Sequence, residues 1–129
     1  MPPPEAPREV KRDMGDISGI AASGLQAAQY ELGVSANNIA NADTPGYKAQ
    51  RADLVDLSGG GVVVAGTSTD TSPGPTLPDG SQGSSVDLAN EVVNTIQART
   101  LYTANALVFR TADQMYGTLL NMLDNDSKT

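Results

Sequence analysis

The chain has 129 residues, with 15 acidic against 8 basic side chains and a net charge of −7; no basic stripe with interleaved aromatics is present, so no nucleic acid is expected as a partner. Cysteine and histidine are both absent, which excludes disulfides, thiol chemistry, the usual transition-metal ligands and Ser-His or Cys-His nucleophiles. One Phe, no Trp and four Tyr cannot build a large core, so folding is expected to be marginal in the monomer or coupled to association.

The first residues, MPPPEAPREVKRDMGD, lack the apolar region of a cleaved secretory signal. Residues 1–13 read as a disordered leader because Pro2, Pro3, Pro4 and Pro7 have no amide to donate. The cluster Arg8, Lys11 and Arg12 is mixed there with Glu5, Glu9 and Asp13 and reads as a solvated tail. Met14 offers an alternative start, with residues 14–129 as a single domain. No apolar run approaches the roughly 20 residues that span a bilayer, so direct membrane insertion is not expected.

Over residues 17–42 the pattern turns helical. Ala21, Leu25, Ala28, Leu32, Ser35, Ile39 and Ala42 alternate spacings of four and three, the stripe of a coiled-coil seam. Many of these are small, so a partner helix can approach closely. Gly19, Gly24 and Gly33 interrupt the helix at up to about 1 kcal/mol each, so packing must hold it. Thr44-Pro45-Gly46-Tyr47 then ends it in a type II turn, with Pro45 pre-setting φ and Gly46 supplying a positive φ. Just before the turn come Asn37, Asn38 and Asn41, residues that favour helix ends over helix interiors. Two readings stand: capping of the helix end, or amide contacts to another chain.

Residues 43–85 are rich in Gly, Ser, Thr and Pro and read as loop, with one short strand at 61–65 around three valines and room for a small hairpin. Gly59-Gly60-Gly61 is no phosphate loop, since no Lys-Ser/Thr and no helix follow it. Asp53 and Asp56 lie beside a loop without an apolar pocket and read as solvated surface rather than as an acid–base pair. No catalytic, cofactor or metal site is expected.

A second helix spans residues 86–123. Ser84 and Asp87 have capping-box spacing, and Asp87 and Glu91 put negative charge near the positive end of the helix dipole. Val93, Ile96, Leu101, Ala104, Val108, Ala112, Met115, Leu119 and Met122 follow at a mean spacing of about 3.6 residues, the period of one helical face. The methionines on that face read as core rather than ligands. The expected fold is all-α: two long antiparallel terminal helices joined by the Gly/Ser/Pro-rich segment. At about 1.5 Å per residue the helices measure about 40 and 55 Å, which leaves part of the second for an adjacent subunit to cover.

Two segments carry a family resemblance. SGLQAAQYELGVSANNIANADTPGYKAQRADL resembles the amino-terminal signature of bacterial flagellar rod and hook axial proteins, and SSVDLANEVVNTIQARTLYTANALVFRTADQMYGTLLNML is similar to their carboxy-terminal helix. The resemblance implies a coiled-coil layer of terminal helices and assembly with other rod or hook subunits, as a homo- and hetero-oligomeric helical tube in the basal body. It also implies passage through the flagellar export apparatus without a cleaved signal. By the same token Asn37, Asn38, Ile39, Asn41, Thr44, Pro45, Gly46 and Tyr47 form the bend and contact surface after the first helix. Asn90, Glu91, Asn94, Tyr102, Asn105, Thr111, Asp113 and Met115 fall on matching positions of the second. The residues of that bend, Tyr102, Asn105 and Met115 of the second helix, and Leu25, Leu32, Val93, Ile96, Val108 and Leu119 from the two stripes are the expected packing residues. The large β-rich middle domain of hook and distal-rod members is reduced here to the Gly/Ser/Pro segment; in size the chain matches the small proximal-rod class, in its motifs the distal rod and hook. The function this implies is a non-catalytic structural rod subunit; the alternatives are an exported coiled-coil adaptor or a rod-like paralogue outside the rod, and a small carboxylate hydrolase.

Overall fold

The computed structural model describes the backbone of residues 6–128 and the side chains of residues 16–128. Helix α1 spans Ala6–Ala40, strands β1 and β2 span Gln50–Asp56 and Val62–Thr69, and helix α2 spans Leu88–Asp126. The all-α expectation is therefore corrected: the two helices are joined through a two-stranded antiparallel sheet. The expected strand at 61–65 is the start of the longer β2. Its partner β1 was not anticipated, because QRADLVD places three charged residues in a strand that is largely solvent-exposed, and no apolar alternation marks it. The glycine run turns between the strands, with Leu57 and Gly61 closing the loop (Leu57 N to Gly61 O, 3.0 Å). A register shift lies between Asp53 and Leu54, where Gly66 and Val64 are the successive partners on β2.

Helix α1 also begins earlier than expected. Part of the stretch read as a disordered leader, from Ala6 onward, is helical; Met1 to Glu5 lie outside the described residues. Pro7 is compatible with this because it falls in the first turn, where an amide has no intrahelical acceptor. At 35 and 39 residues, the helices are about 52 and 58 Å long at about 1.5 Å per residue. The expected length mismatch has largely gone.

The helices run antiparallel. Asn38 bonds Glu91, and two heptads further along both helices Gly24 meets Asn105. The seam that runs through these contacts is made of small residues: Ala21, Ala27, Ala28 and Ser35 are buried on α1, and Ala98 and Ala112 on α2. The residues expected to form the seam divide. Of the α1 stripe Ala21, Ala28 and Ser35 are buried, Leu25 and Ala42 half-buried, Leu32 and Ile39 exposed. Of the α2 stripe Ala112 is buried and Leu119 half-buried, whereas Val93, Ile96, Leu101, Val108, Met115 and Met122 face outward. The inward face of α2 is instead Glu91, Ala98, Asn105 and Ala112, seven residues apart in sequence. Close approach favours alanine there, and the bulkier side chains are displaced to the outside.

The hairpin folds back along α1. Tyr30 Oη and Thr67 Oγ1 share a hydrogen bond of 2.5 Å, and the Val62 amide donates to Ser23 Oγ at 3.1 Å. Among the described residues no helix is long and apolar enough to cross a membrane.

Gly24 shows how tight the seam is: a Cβ there would lie 2.5 Å from Asn105 Nδ2, whereas at Gly19 and Gly33 it would meet nothing within 4 Å. Gly24→Ala should therefore destabilise the fold by about 1–3 kcal/mol through overpacking, partly offset by higher helix propensity. Gly33→Ala should stabilise it by up to about 1 kcal/mol. Thermal unfolding followed by circular dichroism should show shifts of opposite sign, with Asn105→Ala relieving the Gly24→Ala defect.

Candidate assembly site

The end of α1 is built around one amide. Asn38 is 0% exposed, and its side chain makes all four hydrogen bonds open to it. Nδ2 donates to the Gln50 carbonyl at 2.8 Å and to Glu91 Oε1 at 2.9 Å; Oδ1 accepts from the Gln50 amide at 2.9 Å and from the Tyr47 hydroxyl at 3.1 Å. One side chain thus ties the helix exit to the first residue of β1 and to the first turns of α2. A charged residue of the same size could not both donate and accept in this way.

The neighbouring asparagines have different partners. Asn37 Nδ2 donates to Tyr47 Oη at 3.1 Å, and Asn41 reaches back to the Asn37 carbonyl with both its side-chain Nδ2 at 2.9 Å and its backbone amide at 3.2 Å. Thr44 Oγ1 donates to Asn41 Oδ1 at 3.1 Å. The turn follows as expected, with Tyr47 N bonded to Thr44 O at 3.1 Å and Gly46 at φ 74°. Asn37, Asn38, Asn41, Thr44, Pro45, Gly46 and Tyr47 are therefore one connected group, while Ile39 lies exposed beside them.

The long Gly/Ser/Pro segment is fixed to this turn. Gly46 N donates to Gln82 O at 2.9 Å, Ser85 N to Tyr47 O at 3.0 Å, and Ala49 N to Ser85 Oγ at 2.9 Å. It delivers the chain to α2, whose cap is Asp87: Oδ1 accepts from the amides of Ala89 and Asn90 at 3.0 and 3.3 Å. Ser84 bonds the Val86 amide instead, so the capping role expected of the Ser84–Asp87 pair rests with Asp87.

Glu91, read from sequence as favourable charge near the start of α2 and as a position matching the family signature, is only 7% exposed. Oε1 is held by Asn38, and Oε2 has no partner. The spacing of Glu91, Ala98, Asn105 and Ala112 was a signal for this inward position, overshadowed by the larger side chains of the adjacent stripe.

Along α2 the outward face is apolar. Ile96, Leu107 and Met122 are 59, 64 and 67% exposed, and Val92, Val93, Leu101, Tyr102, Val108 and Met115 join them. The hydroxyls of Thr100, Thr103 and Thr111 each donate to the carbonyl four residues back, at 2.8–2.9 Å. A neighbour covering this face would strand none of those donors.

The comparisons with known proteins follow the same geography. A family model described as flagella basal body rod protein matches residues 20–48, covering α1 from Ile20 onward and its asparagine exit, and one described as flagellar basal body rod FlgEFG protein C-terminal matches residues 81–122, covering the approach to α2 and most of that helix. Both ends of the chain are thus similar to flagellar basal-body rod proteins. Similar proteins include the flagellar basal-body rod protein FlgG of Agrobacterium fabrum, 58% identical over 38 residues that make up 30% of this chain and 14% of that protein. The FlgG of Caulobacter vibrioides is 45% identical over 62 residues, 48% of this chain and 23% of that protein. The chain spans less than a quarter of the length of either rod-family relative.

Asn38→Asp would place an anion beside Glu91 and remove both donors, and should cost about 3–5 kcal/mol, enough to unfold a marginal chain. Glu91→Gln keeps an acceptor for Asn38 and removes a buried charge, so denaturant unfolding should place it within about 1 kcal/mol of the parent.

Proposed function

We propose that this chain is a structural, non-catalytic subunit of the bacterial flagellar basal-body rod, delivered by the flagellar export apparatus and built with other rod subunits into the helical axial tube. The observation that carries this reading is the inverted distribution of apolar side chains. The monomer buries alanines between its helices and leaves Ile96, Leu107, Val108 and Met122 in water. Full burial of such side chains contributes about 1.5–3 kcal/mol each, so most of the apolar driving force in the sequence is realised only when other helices cover α2. Val93, Ile96, Tyr102, Val108 and Met115, with Leu32 and Ile39 on α1, are the contacts assigned to neighbouring subunits. Residues 14–129 act as one assembly unit in this reading. The mechanical role follows from number: many buried contacts acting together allow a packed tube to transmit torque.

Ile96→Asp provides the test, because it changes an exposed side chain of the monomer and should leave its circular dichroism unaltered. Burying the carboxylate at a subunit contact would cost several kcal/mol. Quantitative mass spectrometry of purified hook–basal bodies should find several copies of the parent chain per rod and none of the variant, with motility lost. A parent chain absent from intact basal bodies would overturn the assignment in favour of an adaptor outside the rod.

A further inference from the structure

A groove of about 750 Å³ opens between the two helices and the hairpin. Among the described residues that line it, Glu31, Asp70, Asp87 and Glu91 face a single cation, Arg51. Two of these carboxylates are engaged. Asp87 caps α2, and the backbone amide and hydroxyl of Ser72 hold the Asp70 carboxyl below the usual carboxylate range, with Lys48 and Arg51 adding attraction. Glu91 is only half satisfied: it is more than nine-tenths buried, Oε1 accepts from Asn38, and Oε2 has no partner. A buried carboxylate oxygen in an acidic groove is best completed by a guanidinium or ammonium group.

The opposite flank of α2 presents such a group. Arg99 is exposed, and its guanidinium has no partner among the described residues. Its helical neighbours three and four residues away are Thr95, Ile96, Tyr102 and Thr103, none of them acidic, whereas Arg110 has Asp113 three residues on. Covering this apolar flank with a neighbouring subunit would strand the Arg99 charge unless the neighbour supplies an anion.

Placement round the helix keeps the two halves apart within one chain. Asn90, Asn94, Gln97 and Leu101 form the α2 wall of the groove. At about 3.6 residues per turn, their mean direction lies about 170° from that of Arg99, at the same height along the axis. Arg99 therefore points away from the groove of its own chain.

We propose that Arg99 of one copy docks into the groove of the next copy, where its guanidinium completes Glu91. The two surfaces sit on opposite flanks of α2 at one level, so the contact is head-to-tail and runs sideways from subunit to subunit. It rests on the self-assembly reading above and deepens it by naming a contact.

The chain has no cysteine, so introduced thiols cross-link selectively. Thr103→Cys lies one turn from Arg99 on the same flank, Thr71→Cys lies on the groove wall just beyond β2, and Ser58→Cys sits between the strands as control. Full-length chains are mixed in pairs at high concentration and low salt with a short bis-maleimide linker, with association followed by light scattering. The Thr103→Cys chain should join the Thr71→Cys chain, and neither the Ser58→Cys chain nor itself. Arg99→Glu in the first chain alters an exposed side chain, so circular dichroism should be unchanged while the yield falls about tenfold; Arg110→Glu should leave the yield as it was. Glu91→Gln in the second chain should lower it too, as should raised salt. Equal linking to the control, self-linking of the Thr103→Cys chain, indifference to Arg99→Glu, or chains that stay monomeric overturn the docking and leave the rod assignment standing. Absence of the chain from basal bodies, read by mass spectrometry, overturns the rod assignment separately.

Discussion

Everything at the closed end of this molecule depends on the saturated amide of Asn38. An Asn in a helix interior is unfavourable on propensity, and a buried polar group without partners is worse. Here the burial is tolerable because Gln50 supplies both a carbonyl and an amide, Tyr47 a hydroxyl and Glu91 a carboxylate. The turn at Gly46 exists to bring Tyr47 and Gln50 back over the helix end. With β1 started in that position the hairpin can only run back along α1, and with Glu91 bound to the same amide α2 enters in register. Low-dielectric surroundings strengthen each of these bonds and raise the cost of losing any one, which makes the junction an all-or-none feature.

From that junction the helices diverge little, because the seam is made of alanine, serine and glycine. Small residues allow the backbones to approach but contribute little apolar area, so the isolated pair gains modest stability from a long interface. The larger side chains are then forced outward, and the chain resembles half of a larger core. Threonines along α2 bond their own helix and ask nothing of a neighbour. The surface is in this sense prepared for burial, in keeping with the similarity of both helices to flagellar basal-body rod proteins.

Parts of this were legible in the sequence. The turn residues, the helix that follows them and the asparagine cluster announce themselves through local chemistry: proline and glycine fix dihedrals, and asparagine marks a helix end. The helix over the expected leader was hidden by its prolines, of which Pro7 sits in the one turn that tolerates it. Strand β1 was hidden because its partner and its anchor, rather than its own side chains, hold it extended. The choice of inward face on α2 was hidden for a related reason. Periodicity selects the bulkiest stripe, whereas the close approach set by Gly24 and the alanines of α1 selects the smallest.

The sequence by itself determined the two helices, the turn between Thr44 and Tyr47 and the family signature, since each depends on interactions within a few residues along the chain. Only the tertiary structure decided that Asn38, not its neighbours, is the buried hub, that Glu91 belongs inside with one oxygen unpaired, and that the large apolar side chains of α2 face away. These are properties of which surfaces meet, and which surfaces meet is set by the distance between two helices, a quantity that no local pattern encodes.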